Sequence, residues 1–461
     1  MEILYKTFKT PRNYYVYDRT SNKILLITKE DYDVLNEKNA SIEFLQKFQS
    51  KGFLLENKME TVEHPETERI ENILQNRMEY LLLQVTQRCN LRCHYCVYGG
   101  GYENRMHSEL DMDFGLAQKA IDYYILHSSQ EEELVLGFYG GEPLLKMDLI
   151  RDCVNYIKKS VPDRRVRFTL TTNGTLLNLE KAHFFYNNNF SIVISLDGSR
   201  EDHDKNRVFK DSGKGTFDVI MKNLKEIHER LPEFMGNVSF NTVLNYNCDF
   251  SCVKDYYNTN EFVRDAQYVL NLVEENGAIA IGNFSEKFLI EYRYEQFLLF
   301  MYMLGKIEKE QLLKSQLDNM LFYRDFYTLL KDSDLLGKKG HHNGPCVPGG
   351  RRLFVTVDGS FYPCEKVPEE PVMKIGDISN GIDIDACKKL LNIGKVSEEA
   401  CKKCWALRIC DQCASRCVEN GTLSRSKKLC QCVKSKKIAL EKLKVISMLK
   451  EFDYDFEEAI I

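Results

Sequence analysis

At Cys89-Asn90-Leu91-Arg92-Cys93-His94-Tyr95-Cys96 the chain has three thiols within eight residues, directly after the apolar run 80–85. An apolar run of this length is typical of a buried strand, so the cysteines would lie in the loop at its carboxyl end. The C-x3-C-x2-C spacing lets three sulfurs bind three corners of an iron–sulfur cube and leaves one iron open to a small molecule. A structural zinc ion is bound by four protein ligands, so this three-cysteine loop suits it poorly. Neighbouring buried thiols are the simpler alternative.

Outward from this loop, strand and helix patterns alternate. Such alternation indicates an α/β fold of parallel strands covered by helices, with ligands gathered at the carboxyl ends of the strands. Turns rich in glycine or polar residues follow the second, third and fourth strands, at 140–143, 172–174 and 197–198. We expect these turns to share one rim with the cysteine loop. The predicted strands are residues 80–85, 134–139, 166–171, 192–196, 238–243 and 266–272.

Composition limits the function classes. The chain has 461 residues, which is more than one hydrophobic core usually supports, so several domains are expected. The net charge of −5 lacks the excess of basic residues that is typical of nucleic-acid-binding proteins. No apolar stretch approaches the length of a membrane span. The first residues do not have the pattern of a signal peptide, so we expect a cytoplasmic protein whose cysteines stay reduced.

The cysteines are concentrated in one region of the chain. Of the 16 in the chain, ten fall between Cys346 and Cys432, which is unlike an evenly spread disulfide framework. In a reducing compartment such a cluster favours metal binding. Cys153, Cys248, Cys252 and Cys387 have no cluster spacing and are expected to be ordinary buried or surface groups.

The flanking segments suggest further units. Two strand patterns around a turn at Ser21-Asn22, followed by two short helical patterns, predict a winged-helix-like module over residues 1–60. The alternative is an appendage that only packs on the next domain. We expect a linker at 61–78, the barrel at 79–283, a helical bridge packed on it at 284–345, and a helical tail at 436–461.

These motifs together resemble the radical S-adenosylmethionine (SAM) superfamily, which has a partial (β/α)6 barrel. The resemblance implies that Cys89, Cys93 and Cys96 carry a [4Fe–4S] cluster whose open iron chelates SAM. It further implies that the 140–143 turn holds the SAM ammonium, that Ser195 and Asp197 contact its ribose or amino-acid portion, and that Arg207 pairs with its carboxylate. The SAM-binding residues implied are Tyr95, mainly through its backbone near the adenine, and Gly140, Gly141, Glu142, Asn173, Ser195, Asp197 and Arg207.

Residues 346–435 resemble the Cys-rich SPASM extension of such enzymes, which holds two further [4Fe–4S] clusters, three in all. The family has three residues between the last two cysteines of its central run, whereas here Cys413 follows Cys410 after two residues and Cys417 after six. One implied ligand set is Cys401, Cys404, Cys410 and Cys430; the other is Cys346, Cys364 and either Cys413 or Cys417. A zinc ribbon is the alternative for this region.

The resemblance implies a peptide maturase that forms thioether crosslinks in a ribosomally made, Cys-rich precursor. The N-terminal module would capture the precursor's leader by strand addition, and a flavodoxin or ferredoxin would supply electrons. Glu365, directly after Cys364, would be the catalytic base. The alternative enzyme is of the anaerobic sulfatase-maturating type, which makes formylglycine and has Asp where this chain has Glu365. An iron–sulfur electron carrier is the non-enzymatic alternative, and it leaves the SAM-lining residues unexplained.

Overall fold

The computed structural model describes residues 2–37, 40–99, 101–102, 105–130, 132–275, 278–313, 317–331 and 333–457. Parts of the predicted units therefore lie outside the described residues: 1 and 38–39 in the N-terminal module, 100, 103–104, 131 and 276–277 in the barrel, 314–316 and 332 in the bridge, and 458–461 in the tail. In the part of the chain that is described, no helix is both long enough and apolar enough to cross a membrane.

The secondary structure alternates in the middle of the chain and is mixed at both ends. The strands are β1 (Tyr5–Lys9), β2 (Tyr14–Asp18), β3 (Lys23–Ile27), β4 (Thr61–Val62), β5 (Tyr80–Thr86), β6 (Leu134–Gly140), β7 (Val166–Thr172), β8 (Phe190–Ser195), β9 (Val238–Leu244), β10 (Gln267–Leu272), β11 (Lys339–Gly340), β12 (Leu353–Val355), β13 (Ser360–Tyr362), β14 (Gly376–Asp377), β15 (Gly381–Ile382), β16 (Val418–Glu419) and β17 (Thr422–Leu423).

The helices are α1 (Lys29–Asn36), α2 (Ile42–Gln49), α3 (Ile70–Asn76), α4 (Phe114–His127), α5 (Met147–Ser160), α6 (Leu179–Asn187), α7 (Arg200–Asp204), α8 (Phe217–Arg230), α9 (Phe250–Thr259), α10 (Glu286–Met303), α11 (Leu317–Lys331), α12 (Ile384–Leu391), α13 (Glu398–Lys402) and α14 (Arg425–Glu451). Several begin at a residue whose side chain accepts a hydrogen bond from the first turn, for example Asp113 before α4 and Ser424 before α14.

A sheet ordered β10-β9-β8-β7-β6-β5-β12-β13-β14-β15 is the centre of the molecule. Strands β5 to β10 pair in parallel, each with its neighbour in sequence, which confirms the predicted partial barrel of six strands. The predicted bounds agree with the observed ones to within two residues. The sequence did not indicate that β12, from the Cys-rich region, would join the same sheet by pairing in parallel with β5.

The main core fills the space between this sheet and its helices. Phe190 is fully buried on β8, and its ring lies 5.0 Å from that of Phe168 and 4.8 Å from that of Phe185, measured between centroids. Apolar faces of α4, α5 and α8 cover the sheet as their helical periodicity predicted. Burial of this apolar surface is the main stabilising contribution to the barrel.

The N-terminal module contains the predicted hairpin, β2 with β3, and the two predicted helices. A further strand, β1, pairs with β2, so the sheet has three strands in the order β1-β2-β3. Part of the module packs into a second core with α10, α11 and α14: Phe8, Tyr15 and Tyr17 are buried there.

Three expectations about the flanking segments need correction. The predicted linker is ordered: β4 pairs with β11, and Ile70 and Leu74 of α3 are buried in the main core. The helical bridge packs only partly on the barrel, because much of its apolar surface lies in the second core. The predicted boundary at 435/436 falls inside α14, which continues the Cys-rich region without a break.

Candidate functional site

A cavity of about 510 Å³ opens at the carboxyl ends of the barrel strands. Its size is typical of a small-molecule site. Cys89, Cys93 and Cys96 line it together with residues from the ends of β6 to β10, among them Ser195 and Asn241. Residues of the predicted turns at 140–143 and 172–174 thus share one space with the cysteine loop, whereas the turn at 197–198 does not line it.

The cysteine loop provides sulfur ligands with hydrogen-bond donors around them. The Leu91 N–H donates to Cys89 Sγ over 3.4 Å, Asn173 Nδ2 lies 4.0 Å from the same sulfur, and His107 Nε2 lies 3.9 Å from Cys96 Sγ. Burial raises the pKa of Cys89 to about 12, so this thiol keeps its proton unless a metal holds it as a thiolate. N–H groups directed at sulfur are typical of iron–sulfur sites.

Gly140 and Gly141 allow the loop after β6 to lie against the cysteine loop. The Gly141 N–H donates to Thr86 O over 2.8 Å, and the Glu142 N–H donates to Arg88 O over 2.9 Å. Gly140 has a φ of +134°, and a Cβ there would lie 2.1 Å from Thr86 O. A Cβ at Gly141 would lie 2.0 Å from Arg88 O. Only glycine fits either position without moving the backbone.

Glu142 joins the loops inside the protein. The residue is fully buried, and its carboxylate accepts hydrogen bonds from Thr172 Oγ1 (2.7 Å), the Asn173 N–H (2.7 Å) and the Leu144 N–H (3.0 Å). It does not line the cavity, whereas Asn173 does. The predicted contact of Glu142 with the SAM ammonium therefore stays a prediction, and the observed contacts give this carboxylate a structural role.

Asp197 and Arg207 form a buried ion pair. Arg207 Nε and Nη2 lie 2.9 and 3.1 Å from the two carboxylate oxygens, and the Tyr95 hydroxyl donates to the same carboxylate. Arg207 and Tyr95 line the cavity, but Asp197 does not. We therefore interpret Asp197 as the group that orients Arg207, and the predicted contact of Asp197 with SAM has no support from this geometry.

His203 supports this ion pair, a role that sequence reasoning did not assign. Its Nδ1 accepts a hydrogen bond from the Asp197 N–H over 3.2 Å, and its Nε2 lies 2.9 Å from Thr216 Oγ1. Burial lowers the pKa of His203 to about 3, so the ring is neutral and its Nδ1 can accept. The sequence contained an indication of this role, because His203 lies only four residues before Arg207, which was predicted to bind SAM.

Glu365 lines the same cavity as the three-cysteine loop. Its two carboxylate oxygens each lie 2.6 Å from Arg352 Nη1, and the guanidinium of Arg352 lies over the ring of Tyr80. Burial opposes the charge on Arg352, but Glu365 outweighs it and the pKa of Arg352 is raised. A carboxylate from the Cys-rich region is thus fixed at the barrel cavity, and the role of Glu365 as catalytic base stays a prediction.

Arg105 is a cavity residue that the sequence reasoning missed. Its Nε and Nη2 are buried and have no hydrogen-bond partner among the residues that the structure describes, and its guanidinium lies 5.6 Å from the centroid of the Tyr98 ring. The Tyr98 hydroxyl donates to Glu369 Oε1 over 2.8 Å. Because Arg207 is already paired with Asp197, Arg105 is the better candidate to bind a ligand carboxylate.

A second group of thiols lies in the Cys-rich region. Burial raises the pKa of Cys346 and of Cys364, and the nearby Cys413 raises both further. The structure therefore favours Cys413 over Cys417 as the third ligand of this group. Cys417 is buried beside Cys413, Cys432 and Cys401.

A third group contains Cys401, Cys404, Cys410 and a cysteine of α14. Residues 430 and 432 are two apart on a helix and cannot face the same side. Cys430 is exposed, whereas Cys432 adds to the raised pKa of Cys404 and accepts a hydrogen bond from Gln412 Nε2 over 3.6 Å. The structure favours Cys432 over the predicted Cys430 as the fourth ligand.

The donor chemistry of all three groups suits iron–sulfur clusters. The groups consist of thiols, most of them partly buried, and the first has N–H donors around its sulfurs. Among the described residues, no three His, Cys, Asp or Glu side chains are arranged to hold a single metal ion. A cluster instead spreads its ligands over several iron atoms.

Comparison with known proteins supports the same assignment. The sequence pattern of the radical SAM superfamily matches residues 83–258. A cysteine-type anaerobic sulfatase-maturating enzyme of Clostridium novyi (strain NT) is 30% identical over 295 residues, which are 62% of this chain and 73% of the relative. The chain belongs to the radical SAM superfamily. It is therefore an enzyme that uses SAM and a [4Fe–4S] cluster.

Other radical SAM proteins extend the comparison. The radical SAM cyclopropyl synthase TigE of Paramaledivibacter caminithermalis is 27% identical over 256 residues, which are 51% of this chain and 50% of that enzyme. The solved structure of anSMEcpe with bound AdoMet and Kp18Cys peptide has a TM-score of 0.60 at 20% identity, over 81% of this chain and 99% of that one. At this identity the likeness supports the radical SAM fold alone.

The close approach of the two loops can be tested with Gly141→Ala. We expect the new Cβ to displace the cysteine loop, because the carbonyl of Arg88 would lie 2.0 Å from it. The variant should keep less iron at the SAM site and release less 5′-deoxyadenosine than the unaltered enzyme. The control is Gly236→Ala, where a Cβ meets nothing within 4 Å. Normal iron content and SAM cleavage in Gly141→Ala would contradict the interpretation.

The unpaired guanidinium can be tested with Arg105→Met, which keeps length and removes charge. We expect about tenfold weaker SAM binding, since a hydrogen bond to a charged group contributes about 1.5 to 3 kcal/mol. Equilibrium dialysis of SAM against the iron-loaded enzyme measures the effect. Arg264→Met, at an exposed position, is the matched control. Unchanged SAM affinity in Arg105→Met would show that the guanidinium does not bind SAM.

Proposed function

We propose that this enzyme oxidises a Cys or Ser side chain within a peptide or protein substrate. The observation that carries the proposal is that Glu365 lines one cavity with Cys89, Cys93 and Cys96, although some 270 residues separate them in sequence. A base beside the SAM site suits a reaction in which hydrogen abstraction from the substrate is followed by loss of a proton.

The residues divide the work. Cys89, Cys93 and Cys96 would hold the SAM-cleaving cluster, and Arg105, Arg207, Ser195 and Asn173 would orient SAM beside it. The bound cofactors supply the 5′-deoxyadenosyl radical that abstracts hydrogen, with electrons from an external flavodoxin- or ferredoxin-type reductant. Arg352 holds the Glu365 carboxylate in place, so that it can accept a proton from the substrate.

Similarity favours formylglycine formation as the first candidate. The anaerobic sulfatase-maturating enzyme of Clostridium novyi is similar over most of its length. In this reaction a Cys side chain loses a hydrogen atom to the 5′-deoxyadenosyl radical and a proton to Glu365, and the remaining electron would pass to an iron–sulfur cluster held by the thiols of the Cys-rich region. The sulfur of the resulting thioaldehyde is then exchanged for oxygen from water with release of hydrogen sulfide. A cysteine-containing sulfatase would be the substrate.

The N-terminal module favours a second candidate, thioether formation in a Cys-rich precursor peptide. Strand β3 is an edge of its sheet and borders a groove of about 660 Å³, whose other walls are α11 and α14. Ile24 and Leu26 line the groove, and Leu26 is 65% exposed. An apolar groove beside an edge strand is suited to an extended peptide that adds to the sheet. The extended peptide bound there would be the leader segment of the precursor.

Product analysis separates the two candidates. The iron-loaded enzyme is incubated with SAM, a strong reductant and either a peptide from a cysteine-containing sulfatase or a short Cys-rich peptide encoded beside the enzyme. A formylglycine product has a carbonyl that reacts with hydrazide reagents, whereas a thioether product lacks two hydrogen atoms and has lost a free thiol. Release of 5′-deoxyadenosine without any change in either peptide would contradict both.

Glu365→Gln tests the base. The amide keeps the size of the side chain but does not accept a proton, so we expect at least a hundredfold slower product formation, the lower end of about 10² to 10⁴ for general base catalysis. Iron content and SAM cleavage without substrate should be retained. Glu233→Gln, at an exposed position, is the control. Product formation at the normal rate would mean that another group is the base.

Leu26→Asp tests the groove without removing the module, whose Phe8, Tyr15 and Tyr17 belong to the second core. A charge on the exposed apolar edge should weaken binding of a fluorescently labelled Cys-rich precursor about tenfold or more, as measured by anisotropy. Ile42→Asp, at a 69% exposed position on α2 of the same module, should bind normally. If the two variants bind alike, the groove does not receive the leader.

A further inference from the structure

Lys428 is a buried lysine in the Cys-rich region. It lies in the first turn of α14 and is 1% exposed. Its Nζ donates to Ser397 Oγ over 3.0 Å and to Cys401 Sγ over 3.4 Å. Among the described residues, no carboxylate oxygen lies within 4.0 Å of this ammonium group. A buried charge of this kind is costly unless an anion compensates it.

The two histidines that face the ammonium group add no negative charge. Burial lowers the pKa of His341 to about 4 and the pKa of His342 well below its usual range, so both rings are neutral. The amino end of α14 carries the positive end of the helix dipole, which adds to the demand for an anion. The described groups that can supply one are the thiols.

Several thiols surround the ammonium group. Cys401 is in direct contact with the ammonium group, and Cys410 and Cys417 lie close enough to interact with it electrostatically. Cys432 is one turn further along α14, on the same helix face, and its Sγ lies 3.7 Å from Lys428 O. Four thiolates on an iron–sulfur cluster carry the negative charge that this position lacks.

We propose that Lys428 compensates the charge of the iron–sulfur group held by Cys401, Cys404, Cys410 and Cys432, and sets its reduction potential. The inference rests on the assignment of these thiols as cluster ligands. A fixed positive charge and a hydrogen bond to a ligand sulfur both stabilise the reduced, more negative form of a cluster, and therefore raise its potential. Lys428 thus acts through the cluster, by its charge and by its hydrogen bond to Cys401, and is not proposed to contact the substrate.

Lys428→Met removes the charge while keeping an unbranched side chain, and Lys428→Arg keeps the charge. Lys437→Met, at an exposed position of the same helix, is the control. Reductive titration followed by electron paramagnetic resonance gives the midpoint potential of each cluster in the iron-loaded enzyme. The SAM-site cluster is the internal reference.

We expect one midpoint potential to become more negative in Lys428→Met by at least 59 mV, which corresponds to a tenfold change in the equilibrium constant for one electron. Lys428→Arg should lie closer to the unaltered enzyme, while Lys437→Met and the SAM-site cluster should not change. An unshifted midpoint in Lys428→Met, with its iron retained, would overturn the proposal.

Iron analysis covers the remaining outcomes. If Lys428→Met loses one cluster's iron, retention of that iron in Lys428→Arg supports charge compensation, and loss from both variants overturns it. An unaltered enzyme that binds iron for the SAM-site cluster alone would contradict the ligand assignment itself. That result is distinguishable from an unshifted potential, and neither depends on which peptide product the enzyme forms.

Discussion

Strand β12 pairs in parallel with β5, with Leu353 opposite Leu81 and Val355 opposite Leu83. Strand β5 leads directly into the three-cysteine loop, and the hairpin of β12 and β13 leads into Cys364 and Glu365. This pairing makes one sheet of the barrel and the Cys-rich region. A contact between Gln84 Oε1 and the Val357 N–H, over 3.2 Å, reinforces it next to the cavity. The position of Glu365 depends on this backbone pairing.

Buried charges in the site are compensated one by one. Asp197 pairs with Arg207, and Arg352 pairs with Glu365, while the carboxylate of Glu142 accepts three hydrogen bonds. Arg105 and Lys428 differ from them, because neither has a carboxylate partner within 4.0 Å among the described residues. Since unpaired buried charges are costly, they indicate where the protein is built to receive negative groups. One faces the SAM cavity and the other faces the thiols of the Cys-rich region.

The second core relates the two ends of the chain. Phe8 and Tyr15 from the N-terminal module pack with Leu443 and Ile446 of α14, and the Tyr15 hydroxyl donates to Glu451 over 2.7 Å. The same helix carries Lys428 and Cys432 at its amino end. The proposed leader groove and the third thiol group therefore share α14, although they lie at opposite ends of it. This arrangement explains why the module is better tested by point substitutions than by deletion.

The sequence by itself determined the local features. The alternation of apolar strand patterns with amphipathic helix patterns predicted the six parallel strands, because a parallel sheet covered by helices requires strands and helices to alternate along the chain. The three-cysteine loop, the glycines at 140 and 141, and Glu365 were also predicted, since each follows directly from motif or spacing. Short motifs of this kind do not depend on distant parts of the chain.

Tertiary structure alone decided which distant residues meet. The pairing of β12 with β5, the choice of Cys413 for one thiol group, and the orientation of Cys432 rather than Cys430 depend on packing between segments far apart in sequence. The burial of Lys428 likewise depends on how α14 packs against the rest of the Cys-rich region. Burial and pairing are properties of the assembled fold, so residue type and spacing did not contain them.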